Sequence, residues 1–188
     1  MQHCEAVGLM KAGTLSTFVA RVDAAEFGIC RTLNALSARA PVRRLFQVVS
    51  RLGDGAIWYA LLLAVPLWRG LAGVRPAVMM ALIGIIGVAL YKLLKQTLVR
   101  ERPFITHSGI SLHGAPLDRY SFPSGHTLHA VAFTWQAVAH FPELGWVLVP
   151  FTSLVAASRV VLGLHYPTDV LVGAALGGML AQLGLALG

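Results

Sequence analysis

Three short groups of residues carry side chains suited to a polyanion: Lys95 with Arg102-Pro103, Pro123-Ser124-Gly125-His126, and Ser158-Arg159 followed by His165 and Asp169. Three cations without a matching run of carboxylates point to a phosphate-like ligand. Guanidinium forks meet its oxygens two at a time, and an ammonium acts as a mobile point charge. Ser124 and Gly125 stand where a loop becomes a helix, and that end offers unpaired N–H groups and the positive pole of the helix dipole, a ready anion site. His126 adds a proton donor or acceptor at the same place. His165 and Asp169 are spaced i, i+4 with Pro167 placed to open a helix, so the carboxylate can hold one ring nitrogen and leave the other aimed outward. An imidazole so prepared is a nucleophile. Each group also has a plainer reading. Ser-Gly-His before a helix is an ordinary cap, and an arginine near a helix end is a snorkelling anchor.

The elements that must position these residues are apolar. Of 188 residues, 56% are hydrophobic and 12% charged, with a mean hydropathy of +0.70, a balance of membrane proteins rather than soluble domains. Lys plus Arg exceed Asp plus Glu by 15 to 8. Because the excess flanks apolar stretches, the partner it implies is a membrane surface and a phosphorylated lipid head group, not nucleic acid. Cys4 and Cys30 have no metal-ligand spacing and fix neither a disulfide framework nor a redox compartment. The first 20 residues have no apolar core of signal-peptide quality, so insertion is expected to rely on internal spans.

Taken in order, residues 12–37 alternate apolar positions with Arg21, Asp23, Glu26 and Arg31 and predict an amphipathic helix on the membrane surface. Pro41 opens a second such helix to residue 52, with Arg43, Arg44 and Arg51 outward and Leu45, Phe46, Val48 and Val49 inward. Asp54 reads as the N-cap of the next helix, a place in the active site being the alternative. Spans are expected over 56–74 and, starting at Pro76, over 76–94; a charged loop, 96–123, follows. Residues 127–157 are divided at 141–145 into a hairpin of two short helices, and 170–188 form a last span whose Gly173 and Gly177 make a packing seam. Trp58, Trp68 and Trp146 read as interface anchors. The expected fold is therefore all-α: about five transmembrane helices behind amphipathic surface helices, one domain over 1–188 with an N-terminal region, 1–53, and a core, 54–188.

Parity brings the three groups together. The segments around Lys95 to Pro103, Ser124 to His126 and Ser158 to Asp169 are separated by zero and then two spans, so all emerge on one face. Arg159 interrupts an apolar helix, and ionisable residues at membrane depth are generally functional.

As a set, Lys95-x6-Arg102-Pro103, Pro123-Ser124-Gly125-His126 and Ser158-Arg159-x5-His165-x3-Asp169 resemble the three-part signature of the type 2 phosphatidic acid phosphatase superfamily, matched at every position. The N-terminal part departs, since integral members often have six spans. The resemblance implies that His165 attacks phosphorus and becomes phosphohistidine, oriented by Asp169. It further implies that His126 protonates the leaving oxygen and then activates water. Lys95, Arg102, Arg159, the Ser124 hydroxyl and the Gly125 amide would bind the non-bridging oxygens. No metal and no cofactor is expected, the cations standing where Mg²⁺ stands in other phosphoryl-transfer sites. Vanadium haloperoxidases share the signature but are soluble and larger.

The function these readings imply is hydrolysis of a lipid phosphomonoester or diphosphate. The alternatives are a phosphotransferase that passes the group to an alcohol, and a protein that only binds or transports anionic lipid. His129 reads as a packing residue rather than a metal ligand. His107, His113, Arg100, Glu101 and Arg119 touch a head group or merely solvent. By parity thirteen of the 15 Lys and Arg lie on the site's side, Arg69 and Arg75 on the other. The positive-inside rule then gives the cytoplasm, although bacterial relatives commonly face the periplasm, so the face stays open. The expected location is a bacterial inner membrane. Oligomeric state is not legible.

Overall fold

The computed structural model describes residues 21–187 except Leu117; the first part of the expected surface helix lies outside the described residues. The protein is all-α. Helix α1 covers residues 21–35, a 3₁₀ turn spans Leu36–Ala38, and α2 (Ala40–Leu52), α3 (Ala56–Arg69), α4 (Leu71–Leu98), α5 (Pro103–Thr106), α6 (Gly125–His140), α7 (Gly145–Val161) and α8 (Pro167–Leu187) follow. The five expected apolar helices are α3, α4, α6, α7 and α8. Three segments, α4, the Pro142–Val161 stretch containing α7, and α8, are each long and apolar enough to cross a membrane. The α2–α3 pair, bent by 52°, makes a fourth if it is one broken span. This is an integral, multi-pass membrane bundle.

Helix α6 has 16 residues, roughly 24 Å of rise against a hydrocarbon core of about 30 Å. It is the central helix, packed against α4, α7 and α8. Its N-terminus therefore ends inside protein, where Ser124 can cap it within a site. The α6–α8 crossing is close because α8 presents glycines there: a Cβ at Gly173 would stand 2.6 Å from Ser124 O, and one at Gly177 2.3 Å from Leu128 O. The main core joins Trp58, Val65, Met80, Phe133, Ala137 and Val155.

Several expectations change. The break between the first two apolar helices is at Gly70 (φ +60°), not at Pro76, and the first ends at Arg69 rather than residue 74. Only glycine takes that backbone conformation without strain, whereas α4 carries Pro76 inside its second turn. Trp58 is no interface anchor: it is 2% exposed, its indole N–H donates to Gly53 O at 3.0 Å, and its ring stacks on Phe133. Trp68 and Trp146 are exposed as anchors should be. On α2, Leu45 and Val48 are exposed while Val49 and Ser50 are buried, because α2 rests on α7 at Gly53, where a Cβ would meet Val155 at 2.8 Å. Helix α1 is not solely a surface element, since Glu26, Cys30 and Asn34, one helical turn apart, are all buried.

Candidate active site

One cavity of about 410 Å³ opens at the end of the bundle where α3, α4, α6 and α7 meet. Its polar end is formed by Lys95, Arg102, Arg159, His126 and His165 with the Gly125 backbone, and its walls by Trp58, Tyr59, Leu62, Ile85, Val88 and Phe133. The three sequence groups are thus on one cavity. Two expected members stand behind its wall. Ser124 is fully buried at the N-cap of α6, its hydroxyl 3.0 Å from Thr127 Oγ1, and Asp169 is fully buried behind His165.

Each side chain is delivered by a local device. Lys95 ends α4, and Val99 in a left-handed conformation stops that helix so that the chain can turn toward Arg102. Arg102 is 1% exposed; its Nε donates to Asp118 O at 2.8 Å, and its Nη1 donates to Leu164 O at 2.9 Å and lies 3.3 Å from His165 Nε2. After α7 the chain reverses at Gly163 (φ +77°), where a Cβ would stand 2.7 Å from Ser111 O. The His165 and Leu164 amides both bond to Arg159 O at 3.0 Å, and this tight turn presents the imidazole. Pro167 then opens α8, as its pre-set φ favours, placing Asp169 one turn on. The His165 Nδ1 to Asp169 Oδ2 distance is 3.5 Å, an electrostatic contact longer than a good hydrogen bond; Asp169 Oδ2 also accepts from the Tyr166 amide at 2.8 Å. Burial, then Arg159, Arg102 and Lys95, hold His165 well below the ordinary histidine pKa, so its imidazole is neutral. Arg159 Nη1 bonds Ser50 Oγ, and its buried Nε has no hydrogen-bond partner among the described residues.

Two carboxylates belong to the site that residue patterns did not assign to it. Asp54 does not cap α3, whose N-cap position is Gly55; its Oδ1 is 3.1 Å from His126 Nε2, the alternative the sequence had left open. The hydrogen bond from His126 is the main cause that lowers the Asp54 pKa. Asp118, in the α5–α6 loop, accepts from Lys95 Nζ at 2.9 and 2.7 Å and from Arg102 Nη2 at 2.9 Å. Burial pushes its pKa up, but Lys95 and Arg102 together outweigh that and hold it below the usual range. A loop aspartate carries no spacing signal, so sequence could not have found it. His129 is the packing residue expected: Nδ1 faces Gly125 O at 2.9 Å and Nε2 faces Gly84 O at 3.1 Å. Among the described residues, no cluster of His, Cys, Asp and Glu has metal-site geometry.

A membrane bundle with two histidines and three cations on one cavity defines a phosphate-handling class. Comparison with known families narrows it: residues 72–187 match the PAP2 superfamily, and the chain belongs to it. Among relatives, it is 35% identical over 114 residues to undecaprenyl-diphosphatase BcrC of Bacillus subtilis (strain 168), covering 60% of this chain and 58% of that protein. It is 28% identical over 171 residues to the lipid A 1-phosphatase of Rhizobium johnstonii, covering 80% and 70%. Its fold is similar to the crystal structure of the transmembrane PAP2 type phosphatidylglycerolphosphate phosphatase from Bacillus subtilis, with a TM-score of 0.70, 25% identity and coverage of 89% of this chain and 86% of that one.

Proposed function

We propose that the protein is a lipid phosphatase that hydrolyses a phosphomonoester or diphosphate of a membrane lipid, in a bacterial inner membrane, with the whole chain working as one unit. The observation that carries this reading is the composition of a single cavity: cations and two histidines at its polar end, apolar walls beyond them. A phosphate enters where Lys95, Arg102 and Arg159 converge, and one of its oxygens satisfies the buried Arg159 Nε. The lipid chain lies along Tyr59, Leu62 and Ile85. Relatives named for undecaprenyl diphosphate and lipid A 1-phosphate support lipid phosphate as the substrate class.

Chemistry follows from protonation states. His165 Nε2 is neutral and attacks phosphorus as the bond to the leaving oxygen breaks, and His126 gives that oxygen a proton. Asp169 steadies the positive charge that develops on the phosphorylated imidazole. The cations stabilise the equatorial oxygens, the Gly125 amide assists, and Ser124 fixes the helix end that presents it. Water, deprotonated by His126, then attacks the phosphohistidine and releases phosphate. Because the cations carry the charge, turnover requires no metal. The test uses purified protein with a short-chain phosphatidic acid in EDTA. Phosphate release is expected, with loss in His165→Ala. Full activity of that variant, or strict Mg²⁺ dependence, overturns the mechanism.

A further inference from the structure

Behind His165, on the side away from the cavity, side chains from α1, the α4–α5 connection and α8 are bonded in a row. Glu26, 5% exposed, accepts at Oε1 from the Thr168 amide at 2.9 Å and the Thr168 hydroxyl at 2.7 Å. Its Oε2 accepts from Arg100 Nη2 at 2.5 Å. Arg100 Nη1 donates to Asp169 Oδ1 at 2.8 Å and to Thr168 Oγ1 at 2.7 Å, and the guanidinium lies 4.0 Å over the Tyr166 ring. Asp169 spends its other oxygen on the Tyr166 amide and on His165.

We infer that Glu26 and Arg100 are positioning residues of the reaction, holding Asp169 so that His165 keeps its attacking nitrogen toward the cavity, and that α1 is thereby part of the active site. The inference rests on the phosphatase reading above. A fully buried carboxylate must be paired. The 3.5 Å contact to His165 is too long to do that alone, and Arg100 supplies the charge and the strong bond. Arg100 is itself partly exposed, with side-chain accessibility of 27%, and would be free to turn outward. Glu26 prevents this by taking its second arm, while its other oxygen ties the same carboxylate to the first turn of α8. Glu26 is not alone in keeping α1 in place. Asn34 does so separately, donating to Ser111 O at 2.9 Å and Val161 O at 3.0 Å and accepting from the Ser111 amide at 2.9 Å.

The row also makes a prediction that mere bracing does not. Cys30 from α1, whose thiol donates to His165 O at 3.9 Å, Lys95 from α4, Arg102, His126 from α6, Arg159 from α7 and Asp169 from α8 are charged or titratable groups around His165, and all are kept in the variants below. Arg100→Gln removes a cation from Asp169, so the carboxylate pulls harder on the imidazolium. Glu26→Gln removes the anion that offsets Arg100 and does the reverse.

The experiment measures kcat and KM against pH for the full chain in detergent with short-chain phosphatidic acid. Glu26→Gln and Arg100→Gln are expected to lower kcat about tenfold to a hundredfold, the range for partners that orient a working histidine from behind, with KM nearly constant. The acid limb of kcat/KM moves to lower pH in Glu26→Gln and to higher pH in Arg100→Gln, and returns toward wild type in the double variant. Thr168→Val, which removes a hydroxyl bond from Glu26 and from Arg100 without changing any charge, lowers kcat without moving the limb. Wild-type kinetics in Glu26→Gln overturns the inference. So does a parallel loss in kcat and KM with an unmoved limb in both charge variants. An active His165→Ala, by contrast, overturns the phosphatase reading itself, whereas an inactive His165→Ala beside an unaffected Glu26→Gln overturns only the positioning role.

Discussion

His126 faces Asp54 across 3.1 Å at the edge of the cavity, and that pairing suits the role proposed for it, first giving a proton and then taking one. The carboxylate keeps the ring oriented while its proton is exchanged. His126→Ala is expected to lower kcat by about 10²- to 10⁴-fold, the usual worth of general acid–base catalysis, with little change in the inhibition constant of inorganic phosphate. Asp118 acts in the opposite sense, since it lies on Lys95 and Arg102, the cations assigned to the phosphate. Asp118→Asn should tighten inhibition by inorganic phosphate, read from product-inhibition kinetics, because it frees two buried cations from a competing carboxylate. In the proposed mechanism the neutral state of His165 sets the pH dependence. Its pKa lies well below 6.5, through burial and then Arg159 and Arg102. Its deprotonated, nucleophilic form therefore persists as pH falls through that value, and the acid limb of kcat/KM should appear below pH 6.5. The charged motif residues were legible because their types and spacing are local. Asp54, Asp118, Glu26 and Arg100 were not assigned to the site because a lone carboxylate or guanidinium is defined by its partner, and Glu26 and Arg100 are 74 positions apart.

At the scale of elements, the α6–α8 crossing fixes the distance between the helix N-terminus at Ser124 and the turn that carries His165. Gly177 is expected to tolerate nothing larger. Gly177→Ala would press a methyl against the Leu128 carbonyl at 2.3 Å and should destabilise by about 1–3 kcal/mol, seen as a lower melting temperature in detergent. Gly28 is the contrasting site: it is an exposed helical position with nothing within 4 Å of an added Cβ. Gly28→Ala should stabilise by up to about 1 kcal/mol through helix propensity. The five apolar helices were readable from hydropathy, and the hairpin at 141–145 from its proline and glycine. The junction at Gly70 was not, because Pro76 is the stronger local breaker signal and only packing of α3 on α4 selects the earlier turn. Nor was the burial of Trp58, whose indole is taken up by Gly53 O and Phe133 rather than by the interface.

For the whole molecule, two polar clusters mark opposite ends of the bundle. Arg69, at the end of α3, pairs with Glu143 in the α6–α7 turn, while His113 is bonded through its amide to Leu162 O near the site. In sealed vesicles, single cysteines at 113 and 143, in a background lacking Cys4 and Cys30, should therefore react with an impermeant thiol reagent from opposite faces. Reaction of both from one face would overturn the topology. Labelling of either position from a known side then states which compartment the site meets.

What the sequence determined by itself was the membrane character, the apolar helices and the groups proposed to handle phosphate, because hydropathy and short spacings are properties of neighbouring residues. The tertiary structure decided which charges meet. It set Asp54 against His126, laid Asp118 on two cations, placed Asp169 under Arg100 and Glu26, and buried Glu26, Cys30 and Asn34 of α1 against the bundle. Those outcomes depend on which helix faces close against one another at crossings made by glycine, and on the low dielectric that such closure creates. No local pattern encodes either.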